Sequence, residues 1–119
     1  MVLSGCHAEP RPYGKREVWA TYSMGVLSTD FPQEVRVQAV LAAGRDALLA
    51  RGYSISSGSA TTDRGTVKAK PPKAGPLESV IVGARLTEWG TRAWVEVRPL
   101  GDEAASWAIM DEMLRRLGY

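Results

Sequence analysis

The chain has very little of the chemistry that builds disulfide frameworks or metal centres. Its 119 residues include one cysteine and one histidine, Cys6 and His7, which are adjacent. A single cysteine excludes an internal disulfide, and two neighbouring side chains cannot supply the three or four ligands of a zinc site. We therefore expect no disulfide-stabilised fold, no metal site and no cofactor.

Long apolar runs and long runs of like charge are also missing. After Val2, no stretch approaches the roughly 20 apolar residues of a membrane-spanning helix, so membrane attachment would need another device. Fifteen basic residues stand against thirteen acidic ones, and this balance without a basic arm gives little indication of nucleic-acid binding. A hydrophobic content of 45% predicts one domain with a single core.

The first informative pattern is the segment Leu3-Ser4-Gly5-Cys6. An aliphatic residue, two small residues and a cysteine are typical of the processing site of a bacterial lipoprotein. The aliphatic side chain fills the peptidase pocket, and the cysteine thiol receives diacylglycerol. The pattern predicts that the protein is attached to the membrane through an acylated Cys6 and faces the periplasm of the bacterial envelope.

A complete lipoprotein signal also carries a basic segment and roughly 7 to 15 apolar residues before the cleavage site. Only Met1 and Val2 precede Leu3. The chain therefore begins inside a longer reading frame, or Met1 was added to a trimmed chain, or Met1 is the true start and the pattern is accidental. In the last case Cys6 is an ordinary thiol and the protein is cytoplasmic.

The composition divides the chain into three parts. We expect residues 1–5 to be the remnant of a lipoprotein signal and residues 6–16, with two prolines and several charges, to be a flexible tether. Residues 17–119 are expected to form a single domain.

The first half of this domain predicts one strand and one helix. Apolar residues at every second position from Val18 to Leu27 favour a half-buried strand. Asp30, with Gln33 three positions later, has the spacing of a helix N-cap, and Gly52 is a natural helix stop. Gly44 inside this helix suggests a close approach to the sheet.

The second half predicts four strands and a final helix. Strands are expected at residues 53–57 and 66–70 around an Asp63–Gly65 turn, and a hairpin at residues 77–88 and 91–100 across Trp89-Gly90. Asp102 is expected to cap the last helix. The predicted fold is an α+β two-layer sandwich of order β-α-β-β-β-β-α, with a mostly antiparallel sheet and both helices on one face.

Three segments carry a resemblance to a known family. They are ALLARGY at residues 47–53, DRGTVKAK at residues 63–70 and VRPLGDEAASWAIMDEMLRRL at residues 97–117. Together with the pattern at Cys6, the chain resembles a family of short bacterial lipoproteins of unknown function, the domain-of-unknown-function 3568 type. The resemblance implies an exported, lipid-anchored single domain without assigned catalytic residues, in which only Cys6 has a role.

Residue patterns that support catalysis are sparse. His7 stands in the predicted tether, where nothing would orient it as a base. Asp102 and Glu103 are adjacent carboxylates, but a helix cap and a dipole partner explain both. The glycines lack the strand-to-helix spacing of a phosphate loop. We therefore do not expect an enzyme.

The most promising surface is the sheet face opposite the helices. Strand alternation predicts there a candidate binding face of two tryptophans and four basic residues, Trp19, Lys68, Lys70, Arg85, Trp94 and Arg98. Such a mixture suits a protein partner or self-association, and it also resembles surfaces that bind single-stranded nucleic acid. Alternatively, Trp19 and Trp94 form a cross-strand pair that simply covers the sheet.

These observations predict a small lipid-anchored binding or structural module of the bacterial cell envelope, with no catalytic activity evident. A protein partner or self-association is expected rather than nucleic acid. The alternative is a cytoplasmic sheet domain that binds nucleic acid or regulates a protein, if Met1 is the true start.

Overall fold

The computed structural model describes residues 11–13, 18–73 and 78–119. Cys6, His7 and the predicted signal remnant, residues 1–5, lie outside these ranges. The described part contains seven strands and two helices: β1 (Arg11–Tyr13), β2 (Val18–Ser23), β3 (Val26–Phe31), α1 (Val37–Ala50), β4 (Ser54–Ala60), β5 (Arg64–Lys70), β6 (Ser79–Leu86), β7 (Thr91–Arg98) and α2 (Glu103–Arg116).

The strands form one antiparallel sheet in the order β1-β2-β3-β7-β6-β5-β4. The β6–β7 hairpin predicted across Trp89-Gly90 is therefore at the centre of the sheet. Strand β1 lies inside the segment 6–16 that was predicted to be a tether, and it pairs with β2 through residues 11–13. The sheet thus begins before residue 17.

Both helices pack on the same face of this sheet. Helix α1 covers β4, β5 and β6, and α2 covers β3 and β7 beside it. A Cβ atom at Gly44 of α1 would lie 2.6 Å from Cγ1 of Val82 and 3.6 Å from Cε of Met113, so helix, strand and second helix meet at this glycine. The α+β class with both helices on one face is confirmed.

The core lies between the helices and the inward side chains of the central strands. Val80, Val82 and Ala84 of β6 are fully buried, as are Ala93 and Val95 of β7. An apolar stripe of α2 supplies the opposite wall, with Ile109, Met110, Met113 and Leu114 buried. This apolar contact is the main force that holds the two layers together.

The segment predicted as one strand from Val18 to Leu27 is instead a hairpin. Met24 and Gly25 form its turn, with φ values of 54° and 83°. Positive φ at both central residues matches the twist of a two-residue hairpin turn. The turn changes the side-chain alternation, so Leu27, at an odd position like the exposed Trp19, is fully buried on the helix side. Three strands therefore precede α1 rather than one.

The predicted start of α1 is also wrong. Asp30 belongs to β3 and pairs with Arg92, and the N-cap of α1 is Arg36, which makes no side-chain capping hydrogen bond. The corresponding prediction for α2 is confirmed, because Asp102 accepts a hydrogen bond from the Ala105 amide at 3.0 Å. Arg64, predicted within a turn, is the first residue of β5.

Candidate functional site on the open face of the sheet

The face of the sheet that carries no helix is called the open face here. Strand alternation decides its composition, because residues that flank each buried position point away from the core. Its side chains on the four strands β3, β7, β6 and β5 include Ser28, Asp30, Arg64, Thr66, Lys68, Lys70, Ile81, Arg85, Arg92, Trp94, Glu96 and Arg98. Trp19 and Thr21 of β2 extend this face.

All six residues of the predicted binding face lie on the open face, but they do not form one cluster. Lys68, Lys70 and Arg85 belong to β5 and β6, whereas Trp94 and Arg98 belong to β7. Trp19 stands apart on β2, where it is 57% exposed.

The two tryptophans do not form the cross-strand pair that sequence analysis allowed. Strand β3 lies between β2 and β7, and the residue opposite Trp94 in β3 is Ser28. The only close ring pair in the described part of the chain joins Phe31 and Tyr119, on the other side of the sheet. Mutual contact of the tryptophans therefore cannot explain their position on this face.

The open face is strongly basic. Among the residues that the structure describes, six basic side chains stand there against two acidic ones, although the whole chain has a formal net charge of only +2. Asp30 holds Arg92 through two hydrogen bonds of 3.0 and 3.2 Å, which raise the pKa of that guanidinium group. Glu96 pairs with Arg98 at 3.2 Å. The rest of the basic charge extends over β5 and β6.

Three arginines stand side by side on neighbouring strands, near the end of the sheet where β5 and β7 begin. Arg92 of β7 is directly opposite Arg85 of β6, which is directly opposite Arg64 of β5. The structure gives Arg92 a carboxylate partner, but it shows no ion pair for Arg64 or Arg85 within residues 18–73 and 78–119. We call these three residues the arginine row.

Trp94 stands beside this row. Its indole lies over Gly83 of β6, where a Cβ atom would be only 2.2 Å from Cζ2 and 2.3 Å from Cε2 of the ring. Gly83 therefore lets the indole lie flat along the sheet towards β5. Thr66 and Ser59 continue the same cross-strand line beyond Gly83.

Arg64 and Arg85 of the arginine row border, together with the indole, a shallow cavity of about 450 Å³. Its lining combines an aromatic ring, two guanidinium groups and several small polar residues: Ser59, Ala60, Thr61, Arg64, Gly65, Thr66, Arg85 and Trp94. The candidates predicted from the sequence include Arg85 and Trp94 but not Arg64 and Arg92. Alternation along β7 places Arg92 on the same face as Trp94, so this residue could have been predicted. Arg64 was predicted to lie in a turn rather than in β5, so alternation was not applied to it.

The carboxylates considered for catalysis have structural contacts. Asp102 caps α2, and Glu103 accepts a hydrogen bond from Nε1 of Trp107 at 3.1 Å. Within residues 11–13, 18–73 and 78–119, no group of three or more His, Cys, Asp or Glu side chains is placed to hold a metal ion. Neither α1 nor α2 is long and apolar enough to cross a membrane.

The chain matches no model of a known protein family, and a search of curated protein sequences returns no significant match.

Proposed function

We propose that this protein is a small binding module of the bacterial envelope, attached to the membrane through an acylated Cys6, which presents the open face to an acidic partner. The charge asymmetry of the sheet carries this proposal. Six basic side chains and Trp19 occupy a face with no helical layer, and opposite charge on a partner would give both attraction and orientation.

The position of β1 gives the anchor a geometric consequence. Arg11 follows Cys6 by five positions in the sequence, and an extended chain spans at most about 3.6 Å per residue. An acylated Cys6 would therefore hold the β1 edge of the sheet within about 18 Å of the lipid attachment point. The module would act close to the membrane surface rather than at the end of a long tether.

The anchor is tested by the mass of the mature protein. The gene is expressed with its native upstream region, the cells are fractionated and the product is weighed by intact mass spectrometry, with Cys6→Ser as the matched control. We expect the native protein to be membrane-bound, to begin at Cys6 and to carry acyl groups. The Cys6→Ser variant should carry no acyl groups. A soluble, unmodified chain that begins at Met1 would reject the envelope location and favour the cytoplasmic alternative.

The binding face is tested by site-specific photo-crosslinking in cells. A photoreactive residue at Lys68 probes the open face, and the same residue at Asp46, exposed on α1, probes the opposite layer. We expect a discrete adduct from position 68 only, and we expect Arg98→Glu to reduce its yield while Arg51→Glu on α1 leaves it unchanged. Equal adducts from both positions, or none from position 68, would reject the open face as the binding surface.

A further inference from the structure

We infer that the cavity between Trp94 and the arginine row binds a small organic anion, with a carboxylate or phosphate group held by Arg64 and Arg85 and a flat ring placed against the indole. The inference rests on the proposed binding function of the open face and names the ligand chemistry at its centre. A carboxylate ligand and a phosphate ligand would meet the same requirement, an anionic group with at least two oxygen atoms attached to a planar ring.

The arginine row places like charges on directly opposite residues of neighbouring strands. Residues directly opposite in neighbouring antiparallel strands have Cβ atoms roughly 5 Å apart, and like charges in such positions destabilise a sheet. Asp30 stands beside Arg92 at one end of the row, so its carboxylate serves Arg92 and leaves Arg64 and Arg85 adjacent to each other. An anion between these two guanidinium groups would relieve their repulsion.

The guanidinium groups of Arg64 and Arg85 have the geometry to bind an anion. Arginine presents its N–H groups as a planar fork that matches a carboxylate or a phosphate, and such charge-assisted hydrogen bonds are stronger than neutral ones. Two forks from neighbouring strands can approach one anion from two sides. Thr66 and Ser59 place hydroxyl groups in the next cross-strand line, where they can complete the coordination of the oxygens.

The packing of Trp94 places an aromatic ring beside these two arginines. Because Gly83 has no side chain, the indole lies along the sheet and forms one wall of the cavity instead of standing away from it. An aromatic wall next to paired cations provides a stacking surface for a planar group. The cavity volume of about 450 Å³ lies in the range of small-molecule sites, roughly 300 to 1,000 Å³.

Two further cavities lack this combination. One of about 390 Å³ at the start of α1 is lined by Arg36 and by the opposite charge of Asp63, and one of about 360 Å³ beside β4 contains Arg45 alone among charged residues. Neither has an aromatic ring in its lining. Of these three cavities, only the one of about 450 Å³ combines adjacent guanidinium groups with an indole.

The test follows the side-chain N–H signals of the four tryptophans by NMR in the full chain, with the Trp94 signal assigned from Trp94→Phe. Four probes separate the contributions: phenyl phosphate and benzoate carry a ring and an anion, inorganic phosphate carries the anion alone and benzyl alcohol carries the ring alone. We expect a saturable shift of the Trp94 signal with at least one of the two ring-bearing anions. This ring-bearing anion should bind about tenfold more tightly than inorganic phosphate. Benzyl alcohol should give no saturable shift.

Four variants test the site, and one of them is a matched control. Arg64→Gln and Arg85→Gln should each weaken binding of the ring-bearing anion at least about tenfold, since each removes charge-assisted hydrogen bonds. Arg51→Gln, which removes the same charge from the end of α1, should leave the dissociation constant unchanged. Gly83→Ala should displace the indole and weaken the ring-bearing anions while inorganic phosphate binds as before.

Two results would overturn the inference. One is the lack of any saturable Trp94 shift with the anionic probes up to about 10 mM. The other is binding that Arg64→Gln and Arg85→Gln leave intact. If either occurs while crosslinking from position 68 remains sensitive to Arg98→Glu, the open face binds a partner and only the small-anion site is wrong. If crosslinking fails too, the proposed function is wrong as well.

Discussion

At the scale of single residues, Thr91 connects the sheet to the start of the first helix. Its side chain is fully buried, and Oγ1 donates a hydrogen bond of 2.6 Å to the carbonyl oxygen of Val35. Arg36, the N-cap of α1, has no side-chain capping bond, so this contact fixes the chain just before the helix. A buried hydroxyl in β7 thus helps to define where a distant helix begins.

We expect Thr91→Val to lower the free energy of unfolding by about 1 to 3 kcal/mol, because it leaves a buried carbonyl without its hydroxyl partner. Urea denaturation monitored by circular dichroism measures the change. Thr91→Ser is the matched control: it keeps the hydroxyl and loses one methyl group, which costs about 0.8 kcal/mol. Unchanged stability of the valine variant would show that the hydrogen bond does not hold the start of α1.

At the scale of secondary-structure elements, Gly44 sets the distance between α1 and β6. Glycine inside a helix costs about 1 kcal/mol relative to alanine. Replacement of Gly44 by alanine should therefore stabilise the protein unless there is no room for the added methyl group. Here a Cβ atom would lie 2.6 Å from Cγ1 and 3.4 Å from Cβ of Val82. Val82 is fully buried and β-branched, and it has little freedom to move aside.

We therefore expect Gly44→Ala to destabilise the protein by about 1 kcal/mol, since an overpacking cost of roughly 1 to 3 kcal/mol exceeds the gain in helix propensity. Ala42→Gly at an exposed position of the same helix calibrates the propensity effect alone. Urea denaturation compares both variants with the parent protein. If Gly44→Ala instead stabilises by as much as Ala42→Gly destabilises, α1 and β6 are not in close contact at this point.

The elements that the sequence predicted well are those with strong local signals. The Asp102 cap of α2 and the β6–β7 hairpin each depend on residues close together in the chain, and both are confirmed. The β2–β3 turn was missed because methionine rarely has the positive φ that Met24 adopts here. The apolar alternation also continues through Met24, so the sequence shows no break at the turn. Asp30 was predicted to be a helix cap because Gln33 follows it at the spacing of a capping box. This local spacing contains no information about the strand pairing that places Asp30 in β3.

At the scale of the whole molecule, strand order decides which side chains meet. Alternation alone assigned Lys68, Arg85 and Trp94 to the face opposite the helices, and that assignment is confirmed. The adjacency of Arg64 and Arg85 requires the register of β5 against β6, which no local pattern contains. The faces of this sheet could therefore be predicted from the sequence, whereas the arginine row and its cavity could not.

Tertiary packing also gives the last residue of the sequence a place in the core. The Tyr119 amide donates a hydrogen bond to the Leu114 carbonyl at 2.7 Å, after a left-handed Gly118 with φ 84°. This turn directs the Tyr119 ring onto Phe31 of β3, with ring centroids 5.4 Å apart in an edge-to-face arrangement. Both rings are buried, so the end of α2 is attached to the sheet through this pair.

We expect Tyr119→Ala to lower the free energy of unfolding by about 3 kcal/mol, the low end for removal of a large aromatic ring from a core. The loss combines buried area with the edge-to-face contact. Tyr119→Phe is the matched control, because it keeps the ring on Phe31 and should retain most of the stability. Thermal unfolding monitored by circular dichroism compares the two variants. An alanine variant as stable as the phenylalanine variant would mean that the Phe31 contact does not attach α2 to the sheet, and that the core closes without Tyr119.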